Sequence, residues 1–408
     1  MTIDNNKIVE HKSCRLCGRA DLIDLFSIGN QYINDFVPKD KINQGRTAPL
    51  DLVLCNNCKL VQLRHTAPQE LLYSRFYWYR SGVTETMKQA LKDISNVGEL
   101  MLNLKKGDIV LDIGANDGTL FETFNTKGLI KIGCEPANNL IEELRSRSTY
   151  TMHDFWYYEK FKTKCSDWGI KPKAKFITAL GMFYDMEDPN QFVRDACLAL
   201  DADGVFVAQL MCLKSMLEKN DIGNICHEHI EYYSLESLKY LFENNGLEIF
   251  KIEENNVNGG SYRLYARHLK KGSISFDEKI SYGDIMNFKK RIDRNRDLCV
   301  DFIKSEIEKG KKVYVYGAST KGNVILQYYG LDTTFITAAV ERSPEKWGKY
   351  TIGSWIPIIS EKEARAAQPD YFLVLPYAFF DEMYEREERW RNKGGKFIVP
   401  LPEFRVVD

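Results

Sequence analysis

The chain has 408 residues, of which 44% are hydrophobic and 28% are charged, and its formal net charge is −1. A chain of this length is too long for one comfortable core and is expected to form two or three domains. A net charge so close to zero excludes a general attraction to nucleic acid or to an anionic membrane surface.

The sequence carries no signal for export or for membrane insertion. Residues 1–12 are polar and lack the hydrophobic segment of a secretory signal, and no apolar run is long enough to span a bilayer. Four of the ten cysteines form two Cys-x-x-Cys pairs and the others are scattered. In a reducing compartment this pattern favours metal binding over disulfides, so we expect a cytoplasmic protein.

Two similar cysteine knuckles lie in the first part of the chain, one at Cys14 and Cys17 and the other at Cys55 and Cys58. Four thiolates that arrive as two pairs on tight turns are a usual ligand set for tetrahedral Zn²⁺. A redox dithiol, the alternative, would need one reactive pair rather than two. Because four cysteines leave no open coordination position, we expect a structural zinc ion rather than a catalytic one.

An aromatic stretch follows the knuckles and includes Phe76, Tyr77, Trp78 and Tyr79. Phe76 and Trp78 are expected to pack as a plug between domains. Tyr77 and Tyr79 share strand parity, and each carries a hydroxyl group that could reach a polar ligand, so one of them is expected to contact substrate. Apolar residues at mostly three-residue steps then predict a helix over 84–104.

A ligand-binding turn is predicted after the first buried strand, 108–113. The segment 114–118, Gly-Ala-Asn-Asp-Gly, leads from this strand into a helix, and such a turn lets a ligand approach the backbone closely at the carboxyl edge of a parallel sheet. A second strand, 130–134, ends at Glu135, which can accept hydrogen bonds from both ribose hydroxyls.

The turn does not have the dinucleotide fingerprint Gly-x-Gly-x-x-Gly, and Asp112 and Asp117 would repel a pyrophosphate. An adenosine ligand with a positive sulfonium and an amino-acid tail fits better than NAD. The segment therefore resembles the S-adenosylmethionine signature of class I methyltransferases.

The third predicted strand, 151–156, supplies two further candidates. Asp154 could bond the adenine amine, and an aromatic neighbour, Phe155, could stack on the ring. Asp154 could alternatively be a solvated carboxylate in a loop. Likewise, Asp188, which precedes Pro189, could simply cap a helix. The predicted cofactor-binding residues are Asp112, Gly114, Asn116, Gly118, Glu135, Asp154 and Phe155.

The segment 226–233, which follows a fifth predicted strand at 205–209, concentrates groups that handle protons. It contains two of the six histidines, separated by Glu228. In a strand His227 and His229 would point to one face, and an imidazole is well matched to proton transfer near neutral pH. The alternative is a polar strand end whose imidazoles hydrogen-bond locally.

The last part of the chain predicts its own small parallel sheet. Short apolar strands at 311–316, 336–340, 371–375 and 396–399 alternate with helical stretches, and the charged span 277–308 predicts helices that link the two α/β units.

The loop 317–323 of this part has small residues, hydroxyls, a lysine and a helix N-terminus, which together suit a diphosphate. It lacks the Gly-Lys-Ser/Thr order of a Walker A loop. The alternative is a glycine turn with a solvated Lys321. Earlier in the chain, Asn258 begins a tight turn with Gly259 and Gly260, for which ligand contact is a second interpretation.

Taken together, these motifs resemble the sugar C-methyltransferases that act on nucleotide-linked 4-keto-deoxy sugars. The resemblance covers nearly the whole chain, and the order of its separate motifs is more specific than any one of them. The matching segments are Cys14-x-x-Cys17 with Cys55-x-x-Cys58, 77–82, 111–118, Cys226-His227-Glu228-His229, 258–261 and 316–323.

This resemblance implies an α/β protein of three domains. They are a zinc-binding module at 1–75, an S-adenosylmethionine methyltransferase domain with a class I Rossmann-like core at 76–285, and a Rossmann-like domain at 286–408 that binds the nucleotide sugar. We expect a monomer whose partners are a TDP- or GDP-linked 4-keto sugar and no nucleic acid or membrane.

The resemblance also implies that His229 is the general base. His229 would take the proton from the carbon next to the keto group, and the enolate would then be methylated. Glu228 or Glu231 would orient the imidazole, and Tyr79 or Tyr232 would donate a hydrogen bond to the oxyanion. The predicted substrate-binding residues are Tyr77, His227, Asn258, Ser319, Lys321 and Asn323.

Three alternatives stay open at this point. A small-molecule O- or N-methyltransferase would use the histidines to deprotonate a hydroxyl group. A zinc-ribbon RNA-binding protein with a degenerate core is disfavoured by the charge balance, and a non-catalytic scaffold is disfavoured by the intact Gly114, Gly118 and Glu135. Methylation at C-3 is preferred from the family, with C-5 as the variation.

Overall fold

The structure is a computed structural model and describes residues 7–68, 71–72 and 77–408. Phe76, for which a packing role between domains was predicted, lies outside these residues. None of the helices in the described ranges is long and apolar enough to cross a membrane.

The N-terminal part is a small β structure that carries the cysteine knuckles. Cys55 ends one of its long strands, and the first knuckle lies in the turn between the first two strands. The strands are β1 (Val9–Glu10), β2 (Leu22–Tyr32), β3 (Phe36–Val37), β4 (Thr47–Cys55), β5 (Val61–Leu63) and β6 (His65–Thr66). β5, β4 and β2 form an antiparallel sheet in this order, and β1 pairs with β6.

The middle part alternates strands and helices. The elements up to its fifth strand are α1 (Glu85–Leu102), β7 (Ile109–Ile113), α2 (Thr119–Glu122), β8 (Ile130–Cys134), α3 (Ile141–Arg147), β9 (Tyr150–Met152), α4 (Tyr158–Asp167), β10 (Ala174–Leu180), α5 (Pro189–Ala199) and β11 (Leu200–Met211). They are followed by α6 (Leu213–Glu218), β12 (Glu231–Tyr232), α7 (Leu235–Asn244), β13 (Leu247–Asn255) and β14 (Ser261–His268).

Seven of these strands form one sheet in the order β13-β14-β11-β10-β7-β8-β9. The strands from β11 to β9 run parallel, and β14 is antiparallel to both of its neighbours. β7 is buried along its whole length, as expected for a parallel strand covered on both faces. The strand order reverses between β7 and β10, and a ligand site is expected in the crevice at the carboxyl ends there. The predicted class I methyltransferase core is confirmed.

The C-terminal part begins with a long helix and continues as a second parallel sheet. Its elements are α8 (Tyr282–Glu308), β15 (Val313–Tyr316), α9 (Thr320–Tyr329), β16 (Ala339–Glu341), β17 (Tyr350–Thr351), β18 (Ile358–Ser360), α10 (Glu361–Ala367), β19 (Tyr371–Val374), α11 (Phe380–Arg386), α12 (Glu388–Arg391), β20 (Lys396–Val399) and β21 (Arg405–Val407). The sheet order is β18-β16-β15-β19-β20-β21, with only β21 antiparallel. The predicted α/β unit is confirmed, while the predicted domain boundaries stay predictions.

Local signals explain where several helices begin. Thr84 caps α1 by accepting a hydrogen bond from the Met87 amide, and Ser234 caps α7 with a reciprocal bond to Ser237. Asp188 caps α5 by accepting from the Gln191 amide. The predicted alternative for Asp188, a helix cap, is thus correct.

The N-terminal sheet packs against both α/β parts. Its residues belong to the same buried clusters as the methyltransferase core and as α8 with the C-terminal sheet. β3 also pairs with β17 of the C-terminal part. The zinc-binding part is therefore built into the interface rather than appended to one end.

The His-Glu-His segment lies in a turn and not in a strand. The His229 amide donates to the Cys226 carbonyl at 3.1 Å, and β12 begins only at Glu231. β12 extends the N-terminal sheet by pairing with β5, with Glu231 opposite Gln62. The expectation that both imidazoles share one strand face is wrong, because the turn directs them apart.

Candidate active site

The four knuckle cysteines come together as a metal-ligand cluster. Their sulfur atoms all lie within 4.8 Å of one another, with Cys14 Sγ 3.5 Å from Cys58 Sγ and Cys17 Sγ 3.4 Å from Cys55 Sγ. A tetrahedral ion with Zn–S bonds of about 2.3 Å would hold sulfurs about 3.8 Å apart. The donor set therefore fits Zn²⁺.

A cavity of about 1510 Å³ extends from the carboxyl edge of the methyltransferase sheet to that of the C-terminal sheet. Glu135 and Gly181 follow β8 and β10 on the first side, and Gly317 and Pro376 lie just beyond β15 and β19 on the second. None of the knuckle cysteines lines it. The two parallel sheets thus direct their ligand-binding edges into one shared space.

Two buried carboxyl groups mark the methyltransferase end of the cavity. Asp112 Oδ1 accepts a hydrogen bond from Thr178 Oγ1 at 2.7 Å, and Glu135 accepts from the Asn116 and Ala137 amides, each at 2.9 Å. Burial raises the pKa of Asp112 to about 7 and the pKa of Glu135 to about 6. Acidic groups held in this way would be stabilised as anions by a positively charged ligand. This end therefore fits S-adenosylmethionine.

The glycine turn supports this end through backbone geometry. Gly114 has φ 72°, and a Cβ there would lie 2.7 Å from Met182 Cγ, so the position needs glycine. Asn116 accepts a hydrogen bond from the Ser81 amide at 3.0 Å and donates to the Tyr79 carbonyl at 3.1 Å. Asn116 thereby holds the aromatic stretch against the turn.

Most of the predicted cofactor residues line the cavity, but two do not. Those that line it are Asp112, Gly114, Asn116, Glu135 and Phe155. Gly118 instead supplies the left-handed residue that begins α2. Asp154 accepts from the Phe155 amide and pairs with Lys160 Nζ at 2.7 Å, so its predicted adenine contact is replaced by the alternative of a loop carboxylate.

His229 faces the cavity with one ring nitrogen. Its Nδ1 lies 3.0 Å from the Asn224 carbonyl oxygen, and its ring packs edge-on against Tyr184. No group in the described ranges hydrogen-bonds Nε2. Burial, together with the positive charge of Lys321, lowers the pKa of His229 to about 3. A neutral ring with its proton on Nδ1 leaves the Nε2 lone pair free to accept a proton.

The orientation of His229 comes from the backbone and not from a carboxylate. The prediction that Glu228 or Glu231 holds the ring is wrong, since the Asn224 carbonyl is the partner of Nδ1. Tyr232 donates its hydroxyl to the same carbonyl at 3.3 Å and does not line the cavity. Its predicted role as an oxyanion donor is replaced by support of the turn.

His227 points away from the cavity. It is buried, and its Nε2 lies 3.0 Å from the Ala48 carbonyl oxygen of β4. Burial lowers its pKa to about 4, which favours a neutral ring that donates to this carbonyl. The predicted substrate contact is corrected to a structural link between the turn and the N-terminal sheet.

Tyr77 and Tyr79 both line the cavity, in agreement with a role for one of them at the ligand. Trp78, predicted to pack between domains, stacks edge-on with Phe36 and donates from Nε1 to Asp35 Oδ1 at 3.1 Å. Burial and the nearby carboxyls, Asp185 first among them, raise the pKa of Tyr77 well above its usual value. Tyr77 is therefore a neutral hydroxyl group at the cavity wall.

Sequence reasoning missed Tyr184 and Asp185. Asp185 is buried and lines the cavity, and its Oδ1 has no hydrogen-bond partner among the described residues. Burial, followed by the charges of Glu228 and Glu231, raises its pKa well above the usual range. Their position in the sequence could have indicated a site role, because both residues follow β10 at the same carboxyl edge of the sheet as the glycine turn.

On the C-terminal side, the loop after β15 contributes Ser319 to the cavity, and the first turn of α9 contributes Lys321. Ser319 Oγ caps α9 by accepting from the Gly322 amide at 3.0 Å. Asn323 does not line the cavity and instead donates to Asn34 Oδ1 and to the Asp35 carbonyl. Its predicted substrate contact is corrected to an anchor of α9 on the N-terminal part.

Three cationic residues at this end were not predicted. Arg342 follows β16 directly and pairs with Glu382 at 3.2 Å, Arg386 pairs with the same carboxylate at 2.9 Å, and Lys346 Nζ donates to the Ala318 carbonyl at 2.8 Å. All three line the cavity near the helix N-terminus of α9. These side chains and the α9 N-terminus provide donors for an anion, and they share this end of the cavity with the carboxylates of Glu341, Glu345, Glu361 and Glu382.

Three family models match consecutive parts of the chain. They are "Putative zinc binding domain" over residues 14–73, "Methyltransferase domain" over 79–252 and "C-methyltransferase C-terminal domain" over 256–402. The C-methyltransferase NovU of Streptomyces niveus is 29% identical over 408 residues, which is 97% of this chain and 96% of NovU.

Solved methyltransferase structures are similar over less than half of this chain. Magnesium protoporphyrin IX methyltransferase (ChlM) from Synechocystis PCC 6803 with bound SAH is 11% identical, with a TM-score of 0.36, over 47% of this chain and 91% of ChlM. An S-adenosylmethionine-dependent methyltransferase from Clostridium acetobutylicum ATCC 824 is 13% identical, with a TM-score of 0.31, over 44% of this chain and 92% of that methyltransferase. Similarity at this level supports no functional conclusion.

Proposed function

This chain is an S-adenosylmethionine-dependent C-methyltransferase with an N-terminal zinc-binding domain, and we propose that its substrate is a nucleotide-linked 4-keto-deoxy sugar. The methyl group is added to the carbon next to the keto group, with C-3 preferred over C-5. The observation that carries the proposal is the shared cavity, in which His229 lies between a carboxylate-lined end and a cationic end.

The two ends of the cavity divide the ligands between them. When bound, S-adenosylmethionine supplies an electrophilic methyl group, and Asp112, Asn116 and Glu135 would hold it. The diphosphate of the sugar nucleotide matches the α9 N-terminus with Arg342 and Arg386. The sugar then lies between them, near His229. Holding both ligands in one cavity supplies the proximity that the reaction needs.

His229 carries the proton transfer. Its Nε2 takes the proton from the carbon next to the keto group, and the electron pair of that C–H bond moves into an enolate. The Asn224 carbonyl accepts from Nδ1–H and so stabilises the imidazolium that forms. Tyr184 packs on the ring and limits its rotation. The enolate is the form of the sugar that can be methylated at carbon.

The deciding experiment incubates the protein with S-adenosylmethionine and a panel of TDP- and GDP-linked 4-keto sugars. NMR of the product is expected to contain a new C–CH₃ group on the ring carbon next to the keto group. A new O–CH₃ or N–CH₃ group, or methylation of no member of the panel, would contradict the proposal. The proposal also includes a monomeric enzyme and a cytoplasmic location. The cysteine pattern supports the location.

A further inference from the structure

Lys321 belongs to the C-terminal part by sequence, but its ammonium group contacts the methyltransferase part. Nζ lies 3.0 Å from Met211 Sδ at the end of β11, 3.3 Å from the Asn258 carbonyl oxygen and 3.6 Å from Asp221 Oδ2. Arg342 and Arg386, at the cationic end, have their own acidic partner in Glu382. Lys321 therefore lies beside the reaction centre rather than in the cationic cluster.

One short turn holds both Lys321 and His229. Asp221, at the start of this turn, pairs with Lys321, and Asn224, at its end, accepts from His229 Nδ1. Asn224 Nδ2 also donates to Asp221 Oδ2 at 3.1 Å, which ties the two ends together. A Cβ at Gly223 would lie 3.2 Å from the Lys321 carbonyl oxygen, so the turn packs closely on α9. The base and the ammonium group thus share one rigid support.

The charges in this arrangement match an enolate. Lys321 is close enough for its charge to lower the pKa of His229, which keeps the base neutral before the reaction. After proton transfer an imidazolium would lie near an ammonium group, and that pair is costly without an anion close to both. The Lys321 side chain is 29% exposed, whereas that of Asp221 is 5% exposed. The Lys321 side chain therefore keeps part of its surface toward the cavity that it lines.

We propose that Lys321 Nζ donates a hydrogen bond to the substrate keto oxygen and to the enolate oxygen formed from it. In this role Lys321 replaces Tyr232 as the proposed oxyanion donor. The contact of Lys321 with the diphosphate, expected from the sequence, is not part of this proposal. The inference rests on the proposed function, because it requires a keto group next to the reacting carbon. Asp221 is a positioning residue that holds the ammonium group in place.

The proton and electron balance is simple. The C–H bond breaks, its proton goes to His229 Nε2, its electron pair becomes the C=C bond, and the former carbonyl π pair moves onto oxygen. Lys321 keeps its proton and stabilises that oxygen by a charge-assisted hydrogen bond. When the carbonyl re-forms, a pair on oxygen returns to the C=O bond and the C=C pair becomes the new bond to the methyl carbon. The bond from that methyl group to the sulfonium sulfur of the methyl donor would break with its electron pair left on sulfur. His229 later releases its proton to solvent.

The test measures two rates in Lys321→Met and in the wild type. One is exchange of the sugar hydrogen next to the keto group in D₂O without methyl donor, followed by NMR, and the other is kcat for methylation. Both are expected to fall roughly 100- to 1000-fold, the usual effect of removing one oxyanion donor, while the sugar KM changes less than about threefold. Lys321→Arg, which keeps the charge, should recover part of the loss.

A matched control is Lys219→Met. Lys219 donates to Asn256 in the same region and does not line the cavity, so both rates should be unchanged. Loss of the Lys321 charge should also move the acidic limb of the kcat/KM profile to higher pH, which a purely structural role would not do.

The outcomes separate the two proposals. A Lys321→Met enzyme with a raised KM but normal kcat and exchange would overturn the oxyanion role and return Lys321 to the diphosphate. A wild-type enzyme that neither exchanges the hydrogen nor methylates any 4-keto sugar would instead overturn the proposed function. Unchanged S-adenosylmethionine affinity of the variant establishes that its fold is intact.

Discussion

At the scale of single residues, the role of each histidine depends on which of its ring nitrogens already has a hydrogen-bond partner. His227 is buried and His229 is half-buried, with one residue between them, and the pKa of each imidazole is lowered. His227 uses Nε2 for the Ala48 carbonyl, whereas His229 uses Nδ1 for the Asn224 carbonyl and leaves Nε2 at the cavity. Only the second arrangement provides a base that can reach a substrate.

Replacing His229 by alanine should remove the base without disturbing the metal site. We expect His229→Ala to lower kcat for methylation and the rate of hydrogen exchange by roughly 100- to 10,000-fold, the range for loss of a general base. Zinc content and melting temperature should be retained. His153→Ala, at an exposed position away from the cavity, is the control. Full turnover by His229→Ala would exclude this residue as the base.

Binding of S-adenosylmethionine should depend on pH through Asp112 and Glu135. Their pKa values of about 7 and about 6 in the free protein mean that both carboxyls become protonated as the pH falls. A cationic ligand favours the ionised forms, so affinity should increase as the pH rises from about 5 to 8, with proton release on binding.

Calorimetry in buffers of different ionisation enthalpy measures this proton release. Thr178→Val removes the hydrogen bond that lowers the pKa of Asp112, so the midpoint of the pH dependence should move to higher pH. An affinity that is constant across this pH range would contradict the assignment of the two carboxyls.

At the scale of elements, the zinc-binding part supports the catalytic turn through a short chain of contacts. Arg15, between the first two cysteines, donates from its amide to Gln62 Oε1 on β5 at 2.9 Å. β5 in turn pairs with β12, and the Leu63 amide donates to the Ile230 carbonyl at 2.9 Å. Ile230 is the residue after His229. The cysteine cluster is thus linked to the segment of His229 by hydrogen bonds through β5 and β12.

Removal of zinc should therefore impair both stability and activity. A chelator, or Cys17→Ser, should release the metal, lower the melting temperature by roughly 10 °C or more and lower kcat. Cys197→Ser is the control, because Cys197 is a half-buried thiol outside the cluster. Metal analysis with thermal unfolding measures the effect, and a zinc-free protein with normal stability and turnover would refute it.

At the scale of the whole molecule, the proposed reaction site is the cavity where the edges of two parallel sheets face each other. One sheet provides carboxyl groups that suit a cation, and the other provides cations and a helix N-terminus that suit an anion. The N-terminal sheet contributes to the buried clusters of both and keeps them in place. Opposite charges at the two ends direct each ligand to its own side.

This separation predicts that the two ligands can be weakened independently. Arg342→Met should raise the KM of the sugar nucleotide roughly tenfold, because a charged hydrogen bond to phosphate is lost, and should leave S-adenosylmethionine affinity unchanged. Arg389→Met, at an exposed position outside the cavity, is the matched control. Equal loss of affinity for both ligands would contradict the division of the cavity.

Elements that depend on local pattern were predicted closely. The apolar runs at 108–113 and 130–134 correspond to β7 and β8, and the periodic stretch near 84–104 contains α1. The cysteine cluster was also predictable, because two Cys-x-x-Cys pairs are visible in the sequence and are enough to predict a four-thiolate metal site. Asp154 and Asn323 were misplaced because a polar residue in a loop has several possible partners, and only the neighbouring elements decide among them.

By itself, the amino-acid sequence determined the fold class and the metal ligands, and it indicated the short segment that holds the proposed base. Periodicity, pairing of cysteines and proton chemistry are properties of neighbouring residues. Only the tertiary structure decided that His229 and not His227 faces the cavity, that a backbone carbonyl orients it, and that Lys321 crosses from one part of the molecule to the other. These relations join residues far apart in the chain, and packing of the three parts creates them.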